Sequence, residues 1–258
     1  MTATATPPKI VRRNHGRGHS YYVNDRKTPG ATTILGNGYP KHLEKWAADS
    51  STAYAVDNWE TLSDLPISER IKLISGARFA DRDQAARRGT EVHALAQRLA
   101  AGEDIPVPDE LVGHADAYLA FASDWDLREV FVEAPVANVT WGYCGTIDAV
   151  ADLADGYRWL LDLKTGRSGI FREAALQLSA YRYAEWWLDA KGDPQPMLEV
   201  DRVGAVWLKA DRSYELVPVD ASPETFRTFL YCQQIAQFAD RDDVVLAALD
   251  PPIGGPTQ

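Results

Sequence analysis

Three consecutive apolar segments past the middle of the chain restrict its fold more than any other feature. They read VFVEAPVANVT, GYCGTIDAVADL and YRWLLDLKT, and the turn-forming pairs Trp141-Gly142 and Asp155-Gly156 separate them. Segments rich in β-branched and aromatic residues between such turns are typical of strands joined by hairpins. We therefore predict that a β-sheet begins at this point of the chain.

The segments on both sides of these strands have a helical period. Four candidate helices precede them between Pro40 and Leu127, with the sequences KHLEKWAADSSTAYAVDNW, SERIKLISGA, ARFADRDQAARRGTEVHALAQRLAAG and DELVGHADAYLAFASDW. After them we predict a helix from about Phe171 to Ala190, the strands RVGAVWLKA and SYELVPV, and a last helix from about Pro223 to Arg241. This order predicts an α/β fold in which helices flank a mixed central sheet.

A single domain is expected over residues 1–258, because 45% of the positions are hydrophobic and the chain is long enough for one substantial core. Its first part, residues 1–127, is an N-terminal elaboration. It consists of a small hairpin or ribbon, which contains SYYV and ATTIL, followed by helices. The core spans residues 128–241. The Pro- and Gly-rich segment 242–258 is expected to be a flexible tail.

Composition excludes several classes of protein. No apolar run approaches 18 residues and the N-terminus lacks the apolar block of a secretory signal, so we expect a soluble, cytoplasmic chain without a membrane partner. The two cysteines, Cys144 and Cys232, form no CxxC pair, so we expect buried thiols and neither a zinc site nor an iron–sulfur cluster. The net charge of −10 argues against coating nucleic acid, although basic segments such as IVRRNHGRGH can bind phosphates locally.

Two of the three apolar segments carry acidic residues in strand positions. Asp148 lies in GTIDAVADL, and the next segment, WLLDLKTG, brings Asp162 and Lys164, which alternation places on one face. If the two strands pair through the Asp155-Gly156 turn, residues 148 and 162 are symmetric about residue 155. Asp148 and Asp162 are then directly opposed, with Cβ atoms roughly 4.5–5.5 Å apart.

Two ionised carboxylates at that separation repel each other by about 4 kcal/mol at an effective dielectric constant of about 20. A hard divalent cation such as Mg²⁺, for which Mn²⁺ would substitute, offsets the repulsion and supplies a bound water that can attack a phosphodiester. Lys164 would orient that water, help to deprotonate it or stabilise the transition state. The alternative is that both aspartates face solvent and Lys164 pairs with one of them. The apolar neighbours favour the metal site, because unpaired charge in central strands is costly.

The segments GTIDAVADL and LLDLKTG resemble motifs II and III of the PD-(D/E)XK nuclease superfamily. QLSAYRYA resembles the Q-x-x-x-Y helix of its RecB-like branch, with Gln177 and Tyr181 on one helical face. RRGTEVHALAQ is similar to the helix that presents a histidine, here His93, to the metal in that branch, which includes phage and mitochondrial exonucleases. The opening PGATTILGNGYPKHLEKWAA matches that branch loosely.

The resemblance implies a restriction-endonuclease-like core and a Mg²⁺ site formed by His93, Asp148, Asp162 and the carbonyl of Leu163. It also implies catalytic roles for Asp148, Asp162 and Lys164, supported by Gln177 and Tyr181. Glu91 is a weaker candidate, because it lies on a different face of the helix from His93. The iron–sulfur nucleases that share these motifs have four cysteines, which this chain lacks.

DNA is the partner that the motifs imply. Among the residues flanking them, we assign substrate contacts to Arg87, Arg88, Thr165 and Arg182, and Arg167 and Arg172 are further candidates for phosphates. Of the eight tryptophans, Trp46 and Trp59 are the more open candidates for stacking on bases, whereas Trp159, Trp186 and Trp187 are expected in the core.

These motifs therefore predict a metal-dependent DNA exonuclease of recombination, replication or repair. A phage-encoded enzyme of this kind would work in the cytoplasm of a bacterial host, with a recombinase or a single-strand-binding protein as a further partner. Two alternatives remain open: an endonuclease acting at flaps or junctions, and a non-catalytic protein that binds DNA ends.

Overall fold

The chain is an α/β protein built on an open, mixed sheet of seven strands flanked by helices. A computed structural model describes residues 6–16, 18–39, 44–100, 102–103, 105–166 and 169–244. A separate three-stranded antiparallel ribbon precedes the sheet and consists of β1 (Ile10–His15), β2 (Gly18–Val23) and β3 (Arg26–Thr28). The α/β class and the mixed sheet predicted from the sequence are confirmed.

The seven strands of the main sheet are β4 (Arg128–Asn138), β5 (Tyr143–Asp152), β6 (Arg158–Lys164), β7 (Trp186–Leu188), β8 (Pro194–Pro196), β9 (Arg202–Leu208) and β10 (Tyr214–Pro218). Their order across the sheet is β10-β9-β6-β5-β4-β7-β8. The β6–β9 pair is parallel and the other neighbours are antiparallel. β6 therefore lies inside the sheet, which agrees with its run of buried side chains from Trp159 to Asp162.

The helices are α1 (Ala31–Gly38), α2 (Glu44–Asp57), α3 (Trp59–Ser63), α4 (Ile67–Ala100), α5 (Val112–Asp124), α6 (Glu173–Arg182) and α7 (Pro223–Ala239). A short 3₁₀ turn, Asp109–Leu111, leads into α5. Two apolar clusters divide these helices between the faces of the sheet. Residues of α1, α6 and α7 pack on one face, and residues of α4 and α5 pack on the other.

The β5–β6 hairpin has the register that the sequence predicts. Its pairs run from Asp152↔Arg158 to Ala149↔Leu161, so the hairpin is centred on residue 155. Gly156 allows the tight reversal because it adopts φ +80°, a conformation that side chains with a Cβ rarely reach. The ladder ends at Ala149↔Leu161, one position before Asp148 and Asp162 would meet.

The prediction that ATTIL forms a strand is wrong, because this segment is the start of α1. Its β-branched residues favour a strand locally, but buried Ala31, Ile34, Leu35 and Gly38 are spaced as one face of a helix. A Cβ on Gly38 would lie 1.9 Å from the carbonyl oxygen of Cys232, so α1 packs directly against α7. Tertiary packing therefore overrides the local preference. The third strand of the ribbon is Arg26–Thr28 instead.

Two predicted helix boundaries are also wrong. The candidates SERIKLISGA and ARFADRDQAARRGTEVHALAQRLAAG form one continuous helix, α4. The helix expected to reach Ala190 ends at Arg182, and Trp186–Leu188 is a strand that pairs with β4. Trp187 stacks on Phe131 with a centroid separation of 4.3 Å, and a turn at Gly192 returns the chain as β8. The sheet therefore has two strands more than predicted.

Several remaining predictions concern single residues and the ends of the chain. Cys144 and Cys232 are free and buried, as expected. Trp159 is a core residue, whereas Trp186 and Trp187 are only partly buried and Trp59 is exposed. Residues 245–258 of the predicted tail and the side chain of Trp46 lie outside the described residues. Within the described part of the chain, none of the helices has the length and apolar character needed to cross a membrane.

Candidate metal and nuclease site

Glu133 and Asp148 lie opposite each other at an irregular position of the β4–β5 ladder. The flanking pairs are Val132↔Ala149 and Ala134↔Ile147, so the register places these two carboxylates on one rung. Ala134 and Ile147 belong to the cluster under α6, whereas Val132 and Ala149 belong to the opposite cluster.

The usual alternation of faces is therefore shifted by one residue on both strands at this rung. Glu133 makes the shift on β4 by adopting φ +46°, which is uncommon for a residue other than glycine. Such strained backbone at a polar rung is a frequent feature of functional sites.

His93 of α4 faces this rung. Its Nδ1 lies 3.4 Å from Oε1 of Glu133 and 3.5 Å from Oδ1 of Asp148. Its Nε2 lies 3.0 Å from the carbonyl oxygen of Leu163 on β6. The second carboxylate oxygen of Asp148 accepts a hydrogen bond of 2.7 Å from the backbone N–H of Leu163. Three strands and one helix thus converge on a single cluster of oxygen and nitrogen atoms.

The two carboxylates change how His93 holds a proton. Burial lowers the pKa of His93, but the charge of Asp148, the hydrogen bond with Glu133 and the Leu163 carbonyl outweigh it and raise that pKa to about 9. Burial raises the pKa of Asp148 to about 7, with Asp162 adding to the shift and His93 and Lys164 opposing it. Without a metal, the histidine is therefore the cation that stabilises the two acids.

Asp162 and Lys164 form the second half of the site, on the α6 side of β6. The Lys164 ammonium lies 2.6 Å from Oδ2 of Asp162, whose side chain is 3% exposed. Gln177 of α6 donates to Oδ1 of Asp162 at 3.0 Å and to the Tyr181 hydroxyl at 3.3 Å, and its amide oxygen accepts from Lys164 at 3.4 Å. The structure therefore joins Asp162, Lys164, Gln177 and Tyr181 in one network.

Lys164 carries a positive charge in this network. Burial lowers its pKa, but the neighbouring carboxylate of Asp162 outweighs that effect, so the pKa is raised overall. Burial raises the pKa of Tyr181 well above its usual value, so its hydroxyl remains neutral. The cation is thus held between a carboxylate and an amide, with a third of its side chain exposed.

The donor set fits a hard divalent cation. The ligand atoms of His93, Glu133 and Asp148 all lie within 4.8 Å of one another. Oδ2 of Asp162 is buried and lies 2.6 Å from the Lys164 ammonium, which donates to it. Carboxylate and carbonyl oxygens with one imidazole suit Mg²⁺ or Mn²⁺ better than softer metals.

Three of the four predicted substrate contacts line one cavity. Arg87 and Arg88 of α4 and Thr165, directly after Lys164, border a cavity of about 710 Å³ whose other walls include Trp207 and Lys209. Glu91 lies on this cavity as well and makes no described contact with His93.

The remaining arginines do not belong to this group. Arg182 points elsewhere, because its guanidinium donates to the carbonyl of Val200 at 3.4 Å and borders a separate cavity beside Asp201. Arg172 does not border the large cavity. Arg167 lies outside the described residues.

Sequence reasoning missed two contributors to the site. Glu133 is a single acid in the apolar segment VFVEAPV, the same signal that drew attention to Asp148, but its entry into the site depends on backbone geometry that sequence does not reveal. Tyr21 of the ribbon bonds Oγ1 of Thr146 at 2.7 Å, two residues before Asp148. Nothing in the sequence links these two residues, which are 125 positions apart.

The chain matches no protein-family model. It also matches no curated protein. Among solved structures, one described as "Crystal structure of SSO0001" is similar over 62% of this chain and 72% of that chain, at 15% sequence identity and a TM-score of 0.29. A TM-score this low does not establish a shared fold.

Proposed function

We propose that this protein is a metal-dependent deoxyribonuclease of the PD-(D/E)XK superfamily, in its RecB-like branch. The observation that carries the proposal is the convergence of every motif residue on one place. His93, Asp148, Asp162, Lys164, Gln177 and Tyr181 come from four elements, and contacts of 3.5 Å or less connect them through the backbone of Leu163. Residues of four unrelated motifs would have no physical reason to meet in this way.

His93, Asp148, Asp162 and the Leu163 carbonyl would hold the metal, with Glu133 beside them. Bound Mg²⁺ or Mn²⁺ would polarise a phosphodiester and lower the pKa of water. Lys164 provides the protein's own positive charge. Because its pKa is raised, it acts as a cation toward the phosphate rather than as the base that removes a proton from water.

Gln177 has a positioning role in this scheme. Its amide nitrogen donates to Asp162 and its amide oxygen accepts from Lys164, so it fixes the relative position of acid and cation. Tyr181 supports the same amide from the neighbouring helical turn. Hydrogen bonds of this kind hold the reacting groups in place and typically contribute a factor of about 10–100 in activity or metal affinity.

The shape of the neighbouring cavity favours an exonuclease over an endonuclease. A cavity of about 710 Å³ has the size of a small-molecule pocket, which accommodates one or two nucleotides but not a duplex. Arg87, Arg88 and Lys209 place three cations on its walls, beside the three acids Glu91, Glu110 and Asp211. Thr165, next to Lys164 in sequence, borders this cavity, so we propose that the substrate strand runs through it, and a DNA end presents such a strand most easily. We propose that the protein works in the cytoplasm, alongside recombination or replication proteins.

Incubation of purified protein with labelled linear, circular and flapped DNA, with Mg²⁺ or Mn²⁺, tests the proposal. Loss of label from linear ends only supports the exonuclease, whereas cutting of closed circles or at flaps supports the endonuclease. Asp162→Ala and Lys164→Ala should abolish cleavage, while Asp243→Ala and Lys191→Ala, exposed and distant in sequence from the motifs, should cleave like the wild type. If the protein binds DNA ends but cleaves no DNA with either metal, the proposed nuclease activity is wrong and the non-catalytic DNA-end-binding protein is supported.

A further inference from the structure

The charge of this acidic protein is unevenly distributed. Residues 9–28, which contain the three-stranded ribbon, hold six of the 27 Lys and Arg residues and only one of the 37 Asp and Glu residues. This segment therefore carries a net charge of +5, and the rest of the chain carries −15. We call residues 9–28 the basic ribbon.

Arg12, Arg13, Arg26 and Lys27 of the basic ribbon form no ion pair with a described residue. Within the described residues, its ion pairs are limited to Lys9 with Asp25. Arg13, Arg26 and Lys27 are exposed, and the Arg13 guanidinium lies 4.4 Å above the ring of Tyr22. The Nε of Arg12 is buried and donates to no described residue. Like charges concentrated without counter-charges repel one another, and a ligand of negative charge relieves that repulsion.

The basic ribbon lies against the candidate metal site. Arg12 and Tyr21 are register partners, so their side chains share a face. The hydroxyl of Tyr21 on that face bonds Thr146, two residues before Asp148, and the charge of Glu133 acts on it. Ile10, Val23 and Cys144 pack together at the base of the ribbon. The ribbon is thus anchored on β5 with Arg12 beside the site.

The ribbon and the large cavity lie on opposite sides of the site. β6, which carries Asp162 and Lys164, has β5 as one neighbour and β9 as the other. The cavity is bordered by Trp207 and Lys209 at the end of β9, whereas the ribbon is attached to β5. A substrate that fills the cavity and passes the metal residues continues toward the ribbon.

We propose that the basic ribbon binds the phosphodiester backbone of the DNA that extends from the site on the side away from the cavity. This inference rests on the proposed function, since it assigns a place to the uncleaved part of that substrate. Phosphates match the ribbon's chemistry because guanidinium and ammonium ions are exposed on this three-stranded surface. Contacts of this type fix the position of DNA without reading its sequence.

The test measures DNA binding in EDTA, so that cleavage does not enter. Each lost phosphate contact reduces the slope of log affinity against log salt concentration by about 0.9 for duplex DNA, which is roughly a tenfold loss of affinity at 0.1 M salt. The double variant Arg12→Ala/Arg26→Ala, at two positions on the ribbon face that carries Tyr21, should therefore lower the slope by about 1.8. The matched control is Lys191→Ala/Arg241→Ala, which removes the same charge from exposed positions outside the ribbon. Equal affinity and slope for the two double variants would overturn the proposal.

A second measurement separates this proposal from the proposed function. With Mg²⁺ present, the ribbon variant should cleave long DNA with a KM raised at least tenfold and an unchanged kcat, because the metal residues are intact. If neither the wild type nor the variants cleave DNA, but the slope of log affinity against log salt concentration differs between the two double variants as described, the ribbon proposal stands and the nuclease proposal fails. If cleavage occurs with the same KM in both double variants, the ribbon proposal fails alone.

Discussion

Glu133 and Asp148 lie opposite each other on β4 and β5, and one oxygen of each lies within 3.5 Å of the same nitrogen of His93. Two carboxylates whose oxygens are less than 4.8 Å apart repel by about 3 kcal/mol at an effective dielectric constant of about 20. A protonated imidazole offsets this repulsion when no metal is present. In the proposed metal site the histidine would have to give up that proton to become a ligand, so proton and metal would compete for one position.

This competition predicts how the stability of the metal-free protein depends on pH. The pKa of His93 is raised to about 9, so its contribution is fully present below about pH 6.5 and is lost as the pH rises to 9. Asp148, whose pKa is raised to about 7, contributes in the same direction between about pH 4 and 7. We expect His93 alone to account for a fall of about 3 kcal/mol in the free energy of unfolding between pH 6.5 and 9.

Urea unfolding in EDTA at pH 6.5, 7.5 and 9 measures this fall. The variant His93→Gln, which cannot hold the proton, should show a much flatter profile above pH 6.5. Adding Mg²⁺ should stabilise the wild type more at pH 9 than at pH 6.5, because the cation then binds without displacing a proton. Parallel profiles for wild type and His93→Gln would contradict the assignment of the proton to His93.

The positive φ of Glu133 predicts an unusual preference at this strand position. Within a strand, a glycine normally makes the protein less stable than an alanine does, by about 0.5–1 kcal/mol. A left-handed conformation costs residues with a Cβ about 1–2 kcal/mol, a penalty that glycine avoids. We therefore expect Glu133→Gly to be more stable than Glu133→Ala by about 1 kcal/mol, measured in EDTA. If Glu133→Ala is more stable than Glu133→Gly, the alternation of faces along β4 is not shifted at this residue.

The β5–β6 hairpin shows which parts of the site follow from sequence. Asp155 and Gly156 set the turn, and the pairing then runs outward residue by residue. The placement of Asp162 and Lys164 on one face follows from the same alternation. The four-residue spacing of Gln177 and Tyr181 likewise brings them together on a helix. Relationships over short sequence distances depend on local geometry, and local geometry is what sequence patterns describe.

The parts that sequence did not predict depend on distant partners. ATTIL has strand-forming residues, yet it becomes α1 because α7, almost 200 residues later, covers its face. Trp186–Leu188 leaves the predicted helix because β4 offers it a partner strand. Glu133 joins the site through one backbone angle. In each case the free energy comes from a contact that the local pattern does not contain.

Gln177 provides a prediction about the chemistry of the network. Its amide donates to Asp162 at 3.0 Å, so Gln177→Ala removes a positioning contact and should lower kcat by about 10–100-fold with little change in KM. Gln177→Glu should lower kcat more than Gln177→Ala does, because it brings a second carboxylate against Asp162. Steady-state cleavage of linear DNA measures both variants. Gln195→Ala, which removes an amide that donates to Asp189 on the far hairpin, is the control and should keep the wild-type kcat.

Gly145 provides the last prediction, because it marks where α6 packs against β5. A Cβ at this position would lie 2.3 Å from Cε1 of Tyr181, far inside van der Waals contact. The Tyr181 ring is buried and its hydroxyl is bonded to Gln177, so it has no free space to move into. Gly145→Ala should therefore cost about 1–3 kcal/mol of stability and lower kcat by displacing Gln177. Gly76→Ala, in α4 with no atom near its added methyl group, should instead gain up to about 1 kcal/mol.

A double-mutant cycle decides whether the tyrosine ring is the cause. Tyr181→Leu removes the atom that the new methyl group would strike, at the cost of a partly unfilled space. In the Tyr181→Leu background, adding Gly145→Ala should then be neutral or stabilising, since the methyl group occupies volume that the ring has left. The free energies of unfolding of the four proteins give a coupling of about 1–3 kcal/mol if the contact is direct. Additive effects would mean that Gly145 is needed for the β5 backbone rather than for the approach of Tyr181.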